Sequence, residues 1–509
     1  MRTTSTGARR PSLNSASGVV SRAGRIALFA CMSAGLIASL SACGGGGDVG
    51  VSPTSTLATA PAPVAAPAPA PTQSPTASAP VTAQSIDNGA SGDPVTLRVA
   101  RSANGDGFAV WLAYDGTRHN LWANRYQAAS RAWGTAVSIE TTAADIGNFD
   151  LSVDPDGNAV VVWGESRAVM SVRFTASAGV WAAAELRGTT SDPARPRVAT
   201  DGSGAVIVVW TPSVVGRYFD PATGAWQEAP IAQDTFGTGD SNSPVPILDG
   251  SGNALVVYRN ERISAGLLAS NYYSRSTGTW GKLPPDVDGI LGEIPGSGIG
   301  VLFNNNVQLA TGADGNFLAA WQGWDDTTPN PYSVIRTARF TSRTRTWSTT
   351  ETLLTGSYDT VDFQLQRIAT DAAGHAQLIW TERDGTRTAL KAMRLDGAVC
   401  NAPEVLDRAI GGGAARADLA VDAQGNAIAI WQQFEGNRPD DGSRSNIAIN
   451  RFDAATHLWS GAALAESQTG NAISPSASAG GGQALLGWIQ SEGGTNRVKA
   501  SLQSLGSTP

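Results

Sequence analysis

The residue types best suited to chemistry lie in a few short stretches that interrupt an otherwise apolar, repetitive chain. Trp324, Asp325 and Asp326, within 322–331, set an indole beside two carboxylates. An indole stacks on the apolar face of a sugar ring while acids accept hydrogen bonds from its hydroxyls, and paired carboxylates are also the acid and base of glycoside hydrolysis. The stretch 434–445 brings Arg438, Asp440, Asp441 and Arg444, and 113–120 brings Tyr114, Asp115 and His119. A longer insertion, 285–304, completes the set. The plain alternative is a solvated loop tip, with Trp324 packed on a neighbouring element. Ser is abundant, but no Gly-x-Ser-x-Gly elbow, Ser-x-x-Lys pair or phosphate loop stands in a credible context.

Metal chemistry finds little support. Asp154-Pro155-Asp156-Gly157-Asn158 and Asn104-Gly105-Asp106-Gly107 begin like calcium loops, but no ligand series ending in Glu follows either. Their siblings Asp201-Gly202-Ser203-Gly204 and Asp371-Ala372-Ala373-Gly374 are poor in ligands, so all four are expected to be turns. His119, His375 and His457 are the only histidines, and Cys31, Cys43 and Cys400 the only cysteines. No metal and no cofactor are expected. A net charge of −7 and a pI near 5.1 offer no basic surface to nucleic acid.

The elements that must carry these stretches are set by a repeat. A turn Gly is followed by a large aromatic six residues later in all eight copies: Gly105/Trp111, Gly157/Trp163, Gly204/Trp210, Gly252/Tyr258, Gly315/Trp321, Gly374/Trp380, Gly425/Trp431 and Gly482/Trp488. In the second copy, 150–154 reads as strand a, 158–164 as strand b, 169–175 as strand c and 180–187 as strand d. Strand b is apolar on both faces and should be buried between layers. An aromatic ending strand c precedes a Trp by seven residues in Tyr126/Trp133, Phe174/Trp181, Phe219/Trp226, Tyr273/Trp280, Phe340/Trp347 and Phe452/Trp459. The sixth copy has Leu395 and Cys400 there, with Cys400 expected as a buried small hydrophobe. Arg125, Arg173, Arg339, Arg394 and Arg451 recur near the end of strand c, where bridging between repeats is the expected role.

Eight copies of four strands predict an all-β fold, an eight-bladed β-propeller of four-stranded antiparallel blades over 80–509. The eighth copy lacks strand d, whereas 82–86 matches 135–139, the strand d of the first copy. The N-terminal strand should therefore complete the last blade and close the ring. The a–b and c–d turns are short, while the b–c and d–a connections vary and share one face, the expected binding face.

Residues 1–25 carry five arginines and no acid, and 26–40 is apolar but short for a membrane span. The following Leu40-Ser41-Ala42-Cys43-Gly44 resembles a bacterial lipobox. That resemblance implies a signal peptide over 1–42, lipidation of Cys43, membrane attachment through that lipid, and, with Gly44, an outer-membrane lipoprotein. Residues 43–79, rich in Ala, Pro, Ser and Thr, should form a disordered tether. The hairpins Tyr218–Trp226 and Tyr272–Trp280 resemble the second half of a kelch repeat, and 368–374 is more similar to NHL repeats. The architecture also resembles the eight-bladed lipoprotein of outer-membrane barrel assembly. None of these resemblances brings functional residues with it. The resulting expectation is a non-enzymatic protein-binding platform in the cell envelope, with a carbohydrate- or peptidoglycan-binding module as the alternative and a glycosidase or lyase third.

Overall fold

A computed structural model of the chain describes residues 81–89, 92–190, 194–211, 214–231, 241–260, 267–281, 293–297, 305–312, 315–325, 332–357, 363–397, 399–439, 441–466 and 468–506. The leader 1–42, Cys43, the tether 43–79, Asp326, Asp440 and most of 285–304 lie outside the described residues, as does the side chain of Asp325.

Eight antiparallel sheets follow one another along the chain, each ordered a-b-c-d from its first strand. Blade 1 is Asp93–Arg101 (a), Gly107–Tyr114 (b), His119–Gln127 (c) and a strand d in two pieces, Ala132–Trp133 and Val137–Ser138. The remaining a strands are Ile146–Val153, Arg197–Thr200, Ser241–Leu248, Asn305–Thr311, Gln364–Thr370, Ala414–Val421 and Ala472–Gly480. Each a strand touches the next, and the eighth touches the first, so these strands form a closed inner ring. The fold is an eight-bladed β-propeller.

Strand b behaves as its composition predicts. Every residue of Ala159–Glu165 and of Ala427–Phe434 is buried, because both faces of each blade pack against neighbouring blades. A hydrophobic cluster fills each of the eight junctions; the one joining blade 8 to blade 1 sets Leu485, Ile489 and Val498 against Leu97, Val99 and Trp111. Trp163 is fully buried, and its indole N–H donates to Glu165 Oε2 at 2.9 Å, which removes the cost of hiding that donor.

The turn chemistry explains the Gly spacing. Gly157 has φ +88°, a conformation that disfavours side chains with a Cβ. Asp154 Oδ1 accepts the N–H groups of Asp156 (3.0 Å) and Asn158 (2.8 Å). In blade 1, Asp106 accepts from Arg125 Nη2 at 2.6 Å and from the Ala128 N–H at 2.8 Å. These carboxylates are occupied in forming turns, as expected.

The seven-residue aromatic spacing is a cross-strand pair. Tyr126 stands directly opposite Trp133 and Phe452 opposite Trp459, with ring centroids 5.7 Å and 5.5 Å apart. Cys400 takes the same place opposite Leu395, half-buried against the junction of blades 5 and 6. The c-strand arginines reach the following blade. The guanidinium carbons of Arg125 and Arg173 lie 4.8 Å and 4.0 Å from the ring centroids of Phe174 and Phe219, and Arg451 Nη2 donates to Gln503 Oε1 at 2.5 Å.

The N-terminal strand closes the ring. Gln84–Ser85 pairs with the last strand, Gln84 opposite Ala500 and Ser85 opposite Lys499. The Ile86 N–H donates to Val498 O at 2.9 Å, just as the Ile139 N–H donates to Leu121 O at 3.0 Å in blade 1. The match between 82–86 and 135–139 is thus a match of register.

Blade 2 departs from the expected strand limits in two places. Strand d of blade 2 breaks into Val180–Trp181 and Glu185–Thr189, both paired with strand c, whereas strand d of blade 3, Ala225–Ala229, runs unbroken. Strand a of the same blade starts at Ile146, ahead of the expected 150, and a β-bulge at Gly147 interrupts its pairing. Such bulges occur in the first half of strand a in every blade except the third. In blades 4, 5, 7 and 8 a non-glycine residue with positive φ occupies the bulge: Ser243, Asn306, Arg416 and Ser474.

Candidate functional site

Strand b ends and strand a begins at the same edge of each blade, so the described parts of 113–120, 322–331 and 434–445 lie at one face, while the fourth stretch, 285–304, falls largely outside the described residues. The first three occupy blades 1, 5 and 7.

In blade 1 the hairpin is tied up within itself. Asp115 accepts hydrogen bonds from the Thr117 N–H, the Thr117 hydroxyl, the Arg118 N–H and Asn120 Nδ2. The Thr117 hydroxyl first, then the Arg118 N–H and the other two, hold its carboxyl well below the usual Asp range. Tyr114 donates to Gly116 O at 2.9 Å, its ring 5.2 Å from that of His119. His119 Nδ1 lies 2.9 Å from Asp145 Oδ1 in the d–a connection.

In blade 7, Arg444 grips Glu435 through Nε (2.8 Å) and Nη2, and donates to Gln468 O at 2.6 Å. Asp441 accepts the N–H groups of Ser443 (2.9 Å) and Arg438 (3.1 Å). Gly436 lets the Asp441 carboxylate lie close, since a Cβ there would meet Asp441 Oδ2 at 2.0 Å and push that side chain aside. In blade 5, Trp324 is half-buried within the ladder, opposite Ser333.

Of the sequence candidates for binding that are described, Arg438 lines a distinct cavity. This cavity, about 390 Å³, lies between blades 6 and 7 and is walled by Gln364, Gln366, Thr381, Arg383, Thr388, Ala414, Ala415, Arg416, Arg438 and Pro439. Three arginines, two glutamines and two threonines are among the residues lining it. The bulge matters to it. Arg416 sits at φ +50° in the extra-residue position between Ala415 and Asp418, which turns its side chain to the cavity wall. The following N–H, of Ala417, donates to Gln366 Oε1 at 3.0 Å and fixes the floor between the two blades.

The sequence reading missed Arg383, Arg416, Gln364 and Gln366. Their signal was weak, because the cavity draws on separate segments of two repeats and on a residue that the bulge shifts out of the period.

No known family model matches the chain, and no curated protein matches it. Among solved structures it is similar to the Dos1 propeller, at 13% identity and a TM-score of 0.46, covering 84% of this chain and 95% of that one. It is also similar to an ulvan lyase of the polysaccharide lyase group PL25 (11% identity, TM-score 0.45, 83% and 97% covered) and to the polysaccharide lyase Uly1 (10%, 0.45, 77% and 94%). At such identities the likeness speaks to the fold alone.

Proposed function

We propose that this chain is a lipid-anchored propeller of the bacterial cell envelope that binds an anionic polysaccharide on its variable-loop face without cleaving it. The observation that carries this reading is the cavity of Arg383, Arg416 and Arg438, a concentration of positive charge on a chain whose net charge is −7. Guanidinium groups suit carboxylate and sulfate substituents, and the glutamines and threonines around them suit ring hydroxyls. The carboxylates described above on this face are engaged with backbone and side-chain donors, which supports binding over acid–base catalysis. A protein platform would call for a broad apolar patch there; of the exposed large hydrophobic residues among those described, Tyr114 and Val215 stand singly at the b–c edges of blades 1 and 3 on this face, while Val137, Val180, Leu186, Leu458 and Leu464 belong to d strands. The anchor rests on the Cys43 motif and its basic, apolar leader.

Binding of the full chain to immobilised polygalacturonate and to neutral dextran, with and without Arg438→Gln, tests the reading. Salt-sensitive retention on polygalacturonate alone, weakened roughly tenfold by the substitution, is expected. Equal retention on dextran, or capture of one defined envelope protein in place of either glycan, would overturn it.

A further inference from the structure

The eight a strands place one residue each at an equivalent position, directly opposite the residue that precedes the strand-b aromatic. Around the ring these are Arg98, Asp150, Arg197, Val245, Gln308, Arg367, Asp418 and Ser476. The tier therefore holds three guanidinium groups and two carboxylates. Arg98 Nε lies 3.4 Å from Asp150 Oδ1, and Arg367 Nε 3.4 Å from Asp418 Oδ1. Both acids are also held by the next a strand: Asp150 Oδ2 accepts the Val198 N–H at 3.1 Å, and Asp418 Oδ2 the Ala477 N–H at 2.9 Å.

Arg197 is the odd member. Arg197 is itself exposed to the channel; its largest electrostatic partner is Asp150, and the packed channel wall together with the like charges of Arg98 and Arg367 holds its pKa below the ordinary arginine value. Arg367 belongs to blade 6 and Arg197 to blade 3. Those blades are not neighbours, and the space they share is the central channel. Three cations thus converge there on two carboxylates that already serve backbone N–H groups.

We propose that this tier is an anion site, in which Arg197, with Arg98 and Arg367, receives one carboxylate or sulfate group inside the channel. The site is separate from the cavity of Arg438 and does not depend on it. The group can arrive on an acidic sugar or as a free inorganic ion; the chemistry recognised is the same.

The test is calorimetric titration of the full chain with sodium glucuronate, inorganic sulfate and glucose. Glucuronate or sulfate should bind and glucose should not; glucuronate alone would identify a sugar acid as the source, sulfate alone a free ion. Arg197→Gln should weaken binding roughly tenfold or more, Arg197→Lys less, and Arg343→Gln, in an exposed c–d turn outside both sites, should leave it unchanged. Arg367→Gln, in blade 6, repeats the test should the first variant fold poorly. Binding that survives both Gln substitutions, binding of glucose equal to glucuronate, or no binding of either anion would overturn the proposal. Loss through Arg438→Gln alone would overturn it while leaving the loop-face reading intact.

Discussion

The backbone N–H of Val99, in the first blade, donates to the hydroxyl of Ser476, in the last, at 3.1 Å. Ser474 and Ser478 accept from Leu97 and Arg101 in the same way at 3.0 Å each. The inner edge of blade 1 has no further strand to pair with, and serine hydroxyls take the place of a ladder.

Replacing Ser474, Ser476 and Ser478 together with Ala should cost about 3 kcal/mol, on the order of 1 kcal/mol for each lost hydrogen bond. Urea denaturation measures this. An unchanged midpoint would mean that water satisfies those N–H groups equally well.

Ile86 is 1% exposed and packs between the closing strand and blade 1. Ile86→Ala should therefore destabilise the propeller by about 2–4 kcal/mol. Surface-exposed Gln84→Ala, on the same strand, serves as the control and should change stability by less than about 0.5 kcal/mol.

Arg416 combines a strained backbone with a place in the cavity wall. Arg416→Gly should stabilise the fold by about 1 kcal/mol, since glycine adopts positive φ without the Cβ clash, while weakening polygalacturonate binding. Stability by chemical denaturation and affinity on the same variant should move in opposite directions. Parallel losses would show that the arginine serves the fold.

Asp115 sets a pH dependence whose sign can be worked out. Its folded pKa lies below its unfolded value, so its stabilising contribution is fully present above about pH 4, the unfolded Asp value. That contribution is lost as pH falls towards the folded value. Asp115→Asn should flatten the acid limb of stability between about pH 4 and 2, followed by urea midpoints; an unaltered limb would assign it to other carboxylates.

The sequence made the ring legible because turn glycines and aromatics obey a local rule: Gly157 needs its φ, and Phe174 needs a partner at Trp181 directly opposite. The closing strand was legible for the same reason, Ile86 and Ile139 making equivalent backbone hydrogen bonds. The cavity was not, because Arg416 is displaced by a bulge and Arg383 and Arg438 come from different blades. The channel tier left a trace that went unread. Its members precede the strand-b aromatic by thirteen residues in seven blades, as in Arg98/Trp111, Asp150/Trp163 and Arg367/Trp380. The trace is hard to see because the residue type changes from blade to blade while the position stays fixed.

Ring closure also has a temporal side. Ser85 and Lys499 are 414 positions apart, yet they lie side by side in the last blade. A ribosome makes Ser85 a full 414 residues before Lys499, so blade 1 must wait with an open apolar junction until that strand emerges. During that wait Leu97, Val99 and Trp111 have no partner blade. Any factor that shields this edge in transit would act on the nascent chain while the intervening blades are made, and its work would end when residues near 500 arrive.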